Sequence, residues 1–244
     1  MIAVSVVSHG HGKMVEAIVD KLLTYGQVSK IIITKNIPEQ LYLPDSPKIS
    51  VISNDNPEGF GFNHNQAFKF VTEEFFCVLN PDIIFVNNPF NELVAAAQRH
   101  DSAIISPMIK SPNGKIEDSV RYFPTIKSLL NKFFFKYEGK YIFEADSSIF
   151  SPEWVAGMFM LFKTYDFSFV KGFDTKYYLY YEDVDICVRI WEAGRNIIIC
   201  PYVHVIHDAR RTSRRNLRFA LWHCRSMLRY LIKYHRNVPK IGKI

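Results

Sequence analysis

An α/β protein built on a single Rossmann-like, mainly parallel sheet flanked by helices is the fold class this sequence predicts. Three features carry that prediction. Short runs rich in β-branched residues alternate with segments whose apolar residues recur at helical spacing. No internal repeat or low-complexity tract breaks the alternation. Polar clusters fall directly after the strand-like runs, at Ser8–Gly12, Thr34–Asn36, Asn54–Asn65 and Asn80–Asp82, which is where open parallel sheets gather their ligands.

The elements follow in order. Ala3–Val7 reads as the first strand, and Met14–Tyr25 as a helix carrying Val15, Ile18, Val19 and Leu22 on one stripe. Ile31–Thr34 and Ile49–Ser53 are further strands, and Asn63–Glu74 reads as a helix. Phe75–Leu79 is a buried strand that runs into Asn80-Pro81-Asp82. The stretch 111–152 is irregular and reads as an insertion carrying acceptor contacts. Trp154–Phe162 returns to a strand-like run, and Glu182–Glu192 is a short helix. Asn196–Cys200 and Val203–Ile206 are short strands, and Ser213–His235 is a long final helix.

Composition narrows the class. Of the 244 residues, 48% are hydrophobic and 22% charged, ordinary values that remove disordered and fibrous proteins from consideration. The net charge of +6 is unevenly spread: residues 210–244 hold eleven Lys/Arg and no acid, while residues 1–209 hold nineteen Lys/Arg against twenty-four acids. That change of charge marks a boundary near Arg210, between a folded body at 1–209, with halves 1–100 and 101–209, and a basic amphipathic helix and tail at 210–244. A tail of that charge points to an anionic lipid surface or to nucleic acid. Cys77, Cys187, Cys200 and Cys224 form no CxxC pair and read as buried free thiols of a reducing compartment. The N-terminal MIAVSVVSHG lacks a signal peptide's basic region, and no apolar run reaches the roughly 18–20 residues of a membrane span. The expectation is a cytoplasmic protein, peripheral on the inner face of the membrane.

Three places carry chemistry. Asp82 follows a buried strand in FCVLNPD, and Asn80 two residues earlier points to the same face. A carboxylate there suits a divalent metal, although Asn-Pro-Asp is also a common turn. Glu182 and Asp183 are adjacent acids at a helix start, after four Tyr in five residues. Acids are favoured there by the helix dipole, yet a carboxylate set among aromatics also acquires a raised pKa and serves as a base. Asp185 stands four residues before Arg189 and is expected to pair with it. His207 closes the apolar run PYVHVIH, where an imidazole is either structural or a metal ligand. SHGHGK fails as a phosphate-binding P-loop, because Val7 stands where its first glycine is needed.

With these pieces in place the chain resembles glycosyltransferase family 2, of the GT-A fold, and within it the bacterial rhamnosyltransferase-like group. The blocks NPEGFGFNHN, VLNPD, WVAGMFML and GFDTKYYLYYEDVDICVRIWEAG with the following PYVHVIH carry the resemblance. It implies an inverting, metal-dependent transfer of a sugar from a dTDP- or UDP-linked donor to a glycan or lipid-linked acceptor in cell-surface polysaccharide synthesis, such as O-antigen or capsule. It further implies Asp183 as the base, with Glu182 orienting it or the acceptor. Asp82 and His207 would ligate Mg²⁺ or Mn²⁺. Ser8, Asn36, Asn54, Gly59, Phe60, Gly61, Asn65 and Asn80 would join Asp82 on the donor side, and Trp154 and Gly157 would line the sugar and acceptor site. The chain departs from the family pattern at Asn80, where the first metal-motif acid is expected, and at Lys35, where an acid usually follows the second strand. It departs again at His9-Gly10 and at Ala67. Two other readings stay open: a nucleotidyltransferase acting on sugar phosphates, which needs a better triphosphate loop than HGHGK, and a non-catalytic nucleic-acid-binding protein. Against the last, the body is acidic and no nucleic-acid module is present, so nucleic acid is not expected as a partner.

Overall fold

The computed structural model describes residues 1–135, 139–208, 217–235, 238–239 and 241. Its elements are β1 (Ile2–Ser8), α1 (Lys13–Leu23), β2 (Val28–Lys35), β3 (Ile49–Ser53), α2 (Phe60–Phe68), β4 (Phe75–Leu79), β5 (Ile83–Ile84), α3 (Phe90–Arg99) and β6 (Ile104–Lys110). These are followed by β7 (Val120–Arg121), α4 (Ile126–Phe135), β8 (Trp154–Val155), β9 (Phe159–Lys163), α5 (Thr164–Phe169), α6 (Glu182–Glu192), β10 (Ile197–His207) and α7 (Leu217–Tyr234). Eight strands form one sheet in the order β3-β2-β1-β4-β9-β6-β10-β5. β1 pairs in parallel with both β2 and β4, β2 with β3, and β6 with β10. β9 runs antiparallel between β4 and β6. The Val/Ile runs of β1, β2 and β4 are continuous rather than alternating because helices cover both faces: Val4, Val6, Ile31, Ile33, Cys77 and Leu79 point to one core, Ala3, Phe76 and Val78 to the other.

Several expectations shift at their edges. α2 begins at Phe60, three residues before the expected Asn63, so the glycine block opens the helix rather than preceding it. The run Trp154–Phe162 divides at Gly157: β8 pairs with β7 in a separate two-stranded sheet, and only β9 joins the main one. The two strands expected around 196–206 are one strand, β10, whose register jumps between Cys200 and His204. Pro201 lies in that jump and has no N–H to donate. α3 and β6 carry no earlier expectation. Pro107 argues against a central strand, and it is accommodated because β9 pairs only with Ile104 and Ile105, leaving that side of Pro107 without a ladder.

The final helix packs on the body by an unexpected face. Ser226, Tyr230 and Tyr234 are its buried residues, whereas Leu217, Leu221 and Leu228, the apolar residues at helical spacing on which an amphipathic helix would be expected to pack, are 82%, 69% and 59% exposed. Ser226 Oγ donates to Leu179 O at 2.9 Å and Tyr234 OH to Asp185 Oδ1 at 2.9 Å, so polar atoms on aromatic and hydroxyl side chains fix the contact. Cys224 lies on the outward side and is exposed, a correction to the expectation of four buried thiols; Cys77, Cys187 and Cys200 are buried. Residues 213–216 of the expected helix lie outside the described residues. No helix among the described residues is long and apolar enough to cross a membrane.

Candidate active site

The acidic pair stands at the start of α6, on a backbone under strain. Tyr180 and Tyr181 have φ of 68° and 67°, left-handed values that bulky residues rarely adopt and that cost about 1–3 kcal/mol each. Tyr181 is held there by packing, buried beside Tyr230 with ring centroids 5.3 Å apart. The kink brings α6 in so that Asp183 Oδ2 accepts from Gly157 N at 3.0 Å while Oδ1 accepts from Val184 N at 2.9 Å. Gly157 lies close against this cluster: a Cβ there would press on the Phe60 ring at 3.3 Å and touch Asp183 Cβ at 3.5 Å. Phe60, Gly157, Glu182 and Asp183 are thus one cluster, with Gly61 beside Glu182.

Electrostatically the pair is tense. Glu182 is 5% exposed and its Oε2 is buried without a hydrogen-bond partner. Burial first, and the neighbouring Asp183 charge second, raise its pKa well above the ordinary carboxylate value. Burial also raises Asp183, against the lowering effect of the Gly157 and Val184 N–H groups. Two adjacent carboxyls that resist joint ionisation are suited to holding and passing a proton. Asp185, by contrast, is neutralised: Arg189 Nε donates to it at 2.8 Å and Lys233 Nζ at 2.6 Å. The expected pairing with Arg189 is present, and α7 supplies the second cation.

A second cluster forms where β5 meets β10. His207 pairs with Ile83 across the two strands, and its Nε2 lies 3.3 Å from Asp82 Oδ2. Its Nδ1 lies 2.7 Å from Oε2 of Glu117. Burial lowers the His207 pKa, but the bonds and charges of Asp82 and Glu117 outweigh it and bring it up to about 9. Asp82 Oδ1 is buried with no partner. An unsatisfied carboxylate oxygen beside an imidazole that already bridges two carboxylates fits a site built for a cation, with Glu117 orienting the histidine from its far side. Among the described residues no three His, Cys, Asp or Glu side chains are grouped as metal ligands, so Asp82 and His207 would leave most of a coordination shell to other oxygens.

The turn 156–158 joins the two clusters. Met158 O accepts from Asn80 N at 2.9 Å on one side, and Gly157 N donates to Asp183 on the other. A cleft of about 450 Å³ opens beside Asp82, walled by Lys13 and Lys21 of α1 and by the 81–85 segment. Trp154 is buried on β8, its Nε1 donating to Tyr122 O at 3.0 Å.

The remaining donor-side residues are tied to one another. Asn36 pairs through both amide atoms with the backbone of Glu58, at 2.9 and 2.8 Å. Asn54 Nδ2 donates to Asn36 Oδ1 at 2.9 Å and to Asn63 Oδ1 at 2.7 Å. Asn65 spans the backbone N–H and C=O of Phe173 at 2.9 and 2.8 Å, which places its amide in the 172–173 turn. Gly59 and Gly61 let α2 approach the same region, since a Cβ would fall 2.6 Å from Tyr178 O and 2.6 Å from Phe173 Cβ respectively. Ser8 Oγ accepts from His11 N at 3.3 Å. The N–H groups of Gly10 and Gly12 donate to the Glu39 carboxylate at 3.2 and 3.1 Å, so this loop already holds an anion from within the chain.

Sequence reasoning missed Glu117, Asn63 and the left-handed tyrosines. Glu117 comes from a stretch with no periodicity; its N–H donates to Ile109 O at 2.8 Å and its carbonyl accepts from Ser119 N at 2.9 Å. The four-tyrosine run was visible in the sequence; its backbone conformation was not.

A family model described as glycosyl transferase family 2 matches residues 33–166. Rhamnosyltransferase WbbL of Escherichia coli (strain K12) is 29% identical over 263 residues, covering 100% of this chain and 99% of that protein. The N-acetylglucosaminyl-diphospho-decaprenol L-rhamnosyltransferase of Mycobacterium tuberculosis (strain CDC 1551 / Oshkosh) is 27% identical over 153 residues, 59% of this chain and 50% of its own. In fold, the chain superposes on mannosyltransferase PcManGT from Pyrobaculum calidifontis, a structure in complex with GDP-Man and Mn²⁺, with a TM-score of 0.64. That alignment covers 99% of this chain and 65% of the other at 13% identity.

Proposed function

The chain belongs to glycosyl transferase family 2, and from that premise we propose that it transfers a sugar, with inversion, from a nucleotide diphosphate to the hydroxyl of a lipid-linked glycan. The observation that carries the reading is the Glu182–Asp183 pair, set by a strained backbone against Gly157. In the proposed step the acceptor hydroxyl gives its proton to Asp183 as its oxygen bonds to the anomeric carbon. The bond from that carbon to the diphosphate oxygen breaks, and the nucleoside diphosphate departs. One displacement inverts the centre. Glu182, buried beside Asp183 with its pKa raised by that burial, orients Asp183 or the acceptor.

Asp82 and His207 Nε2 would hold a divalent cation, Mg²⁺ or Mn²⁺, which supplies charge stabilisation for the leaving diphosphate. Glu117 keeps the His207 ring turned toward that position. Relatives named as rhamnosyltransferases support dTDP-rhamnose as the donor, with UDP-hexose second. The diphospho-decaprenol in one relative's name supports a lipid-linked acceptor. We read 1–209 as the catalytic unit and 210–244 as a basic appendage whose outward leucines and eleven Lys/Arg suit an anionic membrane surface.

A panel of nucleotide sugars scored for diphosphate release, with and without Mg²⁺ or Mn²⁺, tests the reading. Metal-dependent turnover of dTDP-rhamnose is expected. Turnover of UDP-sugars alone would overturn the donor, and no turnover of any sugar would overturn the activity. Sedimentation with phosphatidylglycerol vesicles tests the membrane surface: Leu221→Ser with Leu228→Ser should release the protein.

A further inference from the structure

Between the 174–181 turn and α7 lies a cavity of about 200 Å³ lined by Lys176, Tyr178, Trp222, Arg225, Ser226 and Arg229. Its walls are aromatic, the Tyr178 and Trp222 rings standing 4.8 Å apart, and its charged groups are all cations. The same face shows how such cations are neutralised where structure alone is at stake. Lys233, one turn beyond Arg229, pairs with Asp174 at 3.2 Å and Asp185 at 2.6 Å. Among the described residues no carboxylate forms an ion pair with Lys176, Arg225 or Arg229. Three like charges gathered around one cavity repel each other, and no ion pair among the described residues offsets the repulsion. An anion would.

The surroundings narrow its chemistry. Arginines and a lysine beside aromatic faces suit phosphate oxygens, which accept charge-assisted and forked hydrogen bonds. Next to the cavity, on the outward side of the same helix, Leu221 and Leu228 are 69% and 59% exposed. A ligand that is anionic at one end and apolar at the other satisfies both features. Packing links the cavity to the acid cluster: Tyr178 O accepts from Phe60 N at 3.0 Å, and the Phe60 ring lies against Gly157, whose N–H donates to Asp183.

We propose that this cavity is the phosphate subsite of the acceptor, taking the diphosphate of a lipid-linked sugar while the lipid chain follows the outward leucines. The proposal rests on the lipid-linked acceptor argued above. Lys176, Arg225 and Arg229 grip the diphosphate, and the sugar beyond it reaches toward Asp183.

Trp222 provides a readout that does not require turnover. The full chain, in EDTA to suppress metal-mediated binding at Asp82, is titrated with geranyl diphosphate and separately with inorganic pyrophosphate, and Trp222→Phe assigns the emission change to the cavity. Geranyl diphosphate should give a saturable change at least about tenfold tighter than pyrophosphate, and Arg225→Gln with Arg229→Gln should weaken it at least about tenfold. Lys176→Gln, on a different element, should weaken it as well, and melting curves establish that all three variants are folded. The proposal fails on any of three results: no Trp222-dependent response, an affinity indifferent to the arginines, or pyrophosphate binding as tightly as geranyl diphosphate. Displacement of geranyl diphosphate by soluble glycerol 3-phosphate at equal or lower concentration would also overturn it, by making the cavity a phospholipid headgroup site. A protein that turns over a nucleotide sugar yet fails here keeps its activity and loses only this subsite; a protein that binds geranyl diphosphate but turns over no nucleotide sugar shows the reverse.

Discussion

Two polar clusters sit close together in this molecule and are handled in opposite ways. Around Asn36, Asn54, Asn63 and Glu58, side-chain amides are matched to one another and to backbone groups at 2.7–2.9 Å. Around Glu182, Asp183 and Asp82, buried carboxylate oxygens lack partners, pKa values of the adjacent pair are raised, and the backbone leading in is left-handed twice. A buried polar group left unsatisfied costs about 1–3 kcal/mol, so the second cluster is unfavourable for folding and the first is favourable. The first cluster shapes the loops, and the second holds what the reaction needs.

That contrast can be broken at several points. The largest effect is expected at the cation position. Asp82→Ala or His207→Ala should remove the metal-dependent part of donor binding, whereas Glu117→Gln, which acts through the histidine, should weaken metal affinity only about 10–100-fold; donor titrations at varied Mn²⁺ measure both. Equal losses in all three variants would make Glu117 a ligand rather than an orienting group. Next, Asn63→Ala should cost about 1–3 kcal/mol of stability by stranding Asn54, read as a lowered melting temperature, with turnover per folded molecule retained. A variant of unchanged stability would show that the amide network is not structural.

The smallest effect concerns pH. Glu182 has a folded pKa raised above its ordinary value of 4.5. The folded state therefore holds a proton that the unfolded state releases, and this stabilisation is full below about pH 4.5 and is lost as pH rises through the raised value. Glu182→Gln should flatten the curve of urea midpoint against pH and leave the protein at least as stable near neutrality. A curve parallel to wild type would mean that Glu182 is ordinarily ionised in the fold.

How much of this was legible in the sequence follows the range of the signals. β1, β3 and β4 lie where their β-branched and aromatic runs put them, and α6 begins at Glu182 as its acids and the preceding tyrosines imply, because such patterns are local. Asp82 and His207 were recognisable as strand-end residues, yet their meeting through the β5–β10 pairing is a long-range event. Glu117 reaches His207 from a segment with no periodicity at all. α7 was legible as a helix but not as to which side it buries, since Ser226 and Tyr234 reach hydrogen-bond partners on the body and Tyr230 packs between them against Tyr181, leaving the leucines outside. The glycine block illustrates the same limit: Gly59 and Gly61 were singled out for a donor, and their missing Cβ atoms admit Tyr178 and Phe173 of the chain itself.

Asp183 is the residue on which the proposed transfer depends most. Its direct test is Asp183→Asn, with turnover, donor dissociation constant and melting temperature measured on the same preparation. Loss of the base should lower turnover about 10²–10⁴-fold while the donor constant and the melting temperature stay close to wild type. Near-wild-type turnover in a folded Asp183→Asn protein would contradict the account.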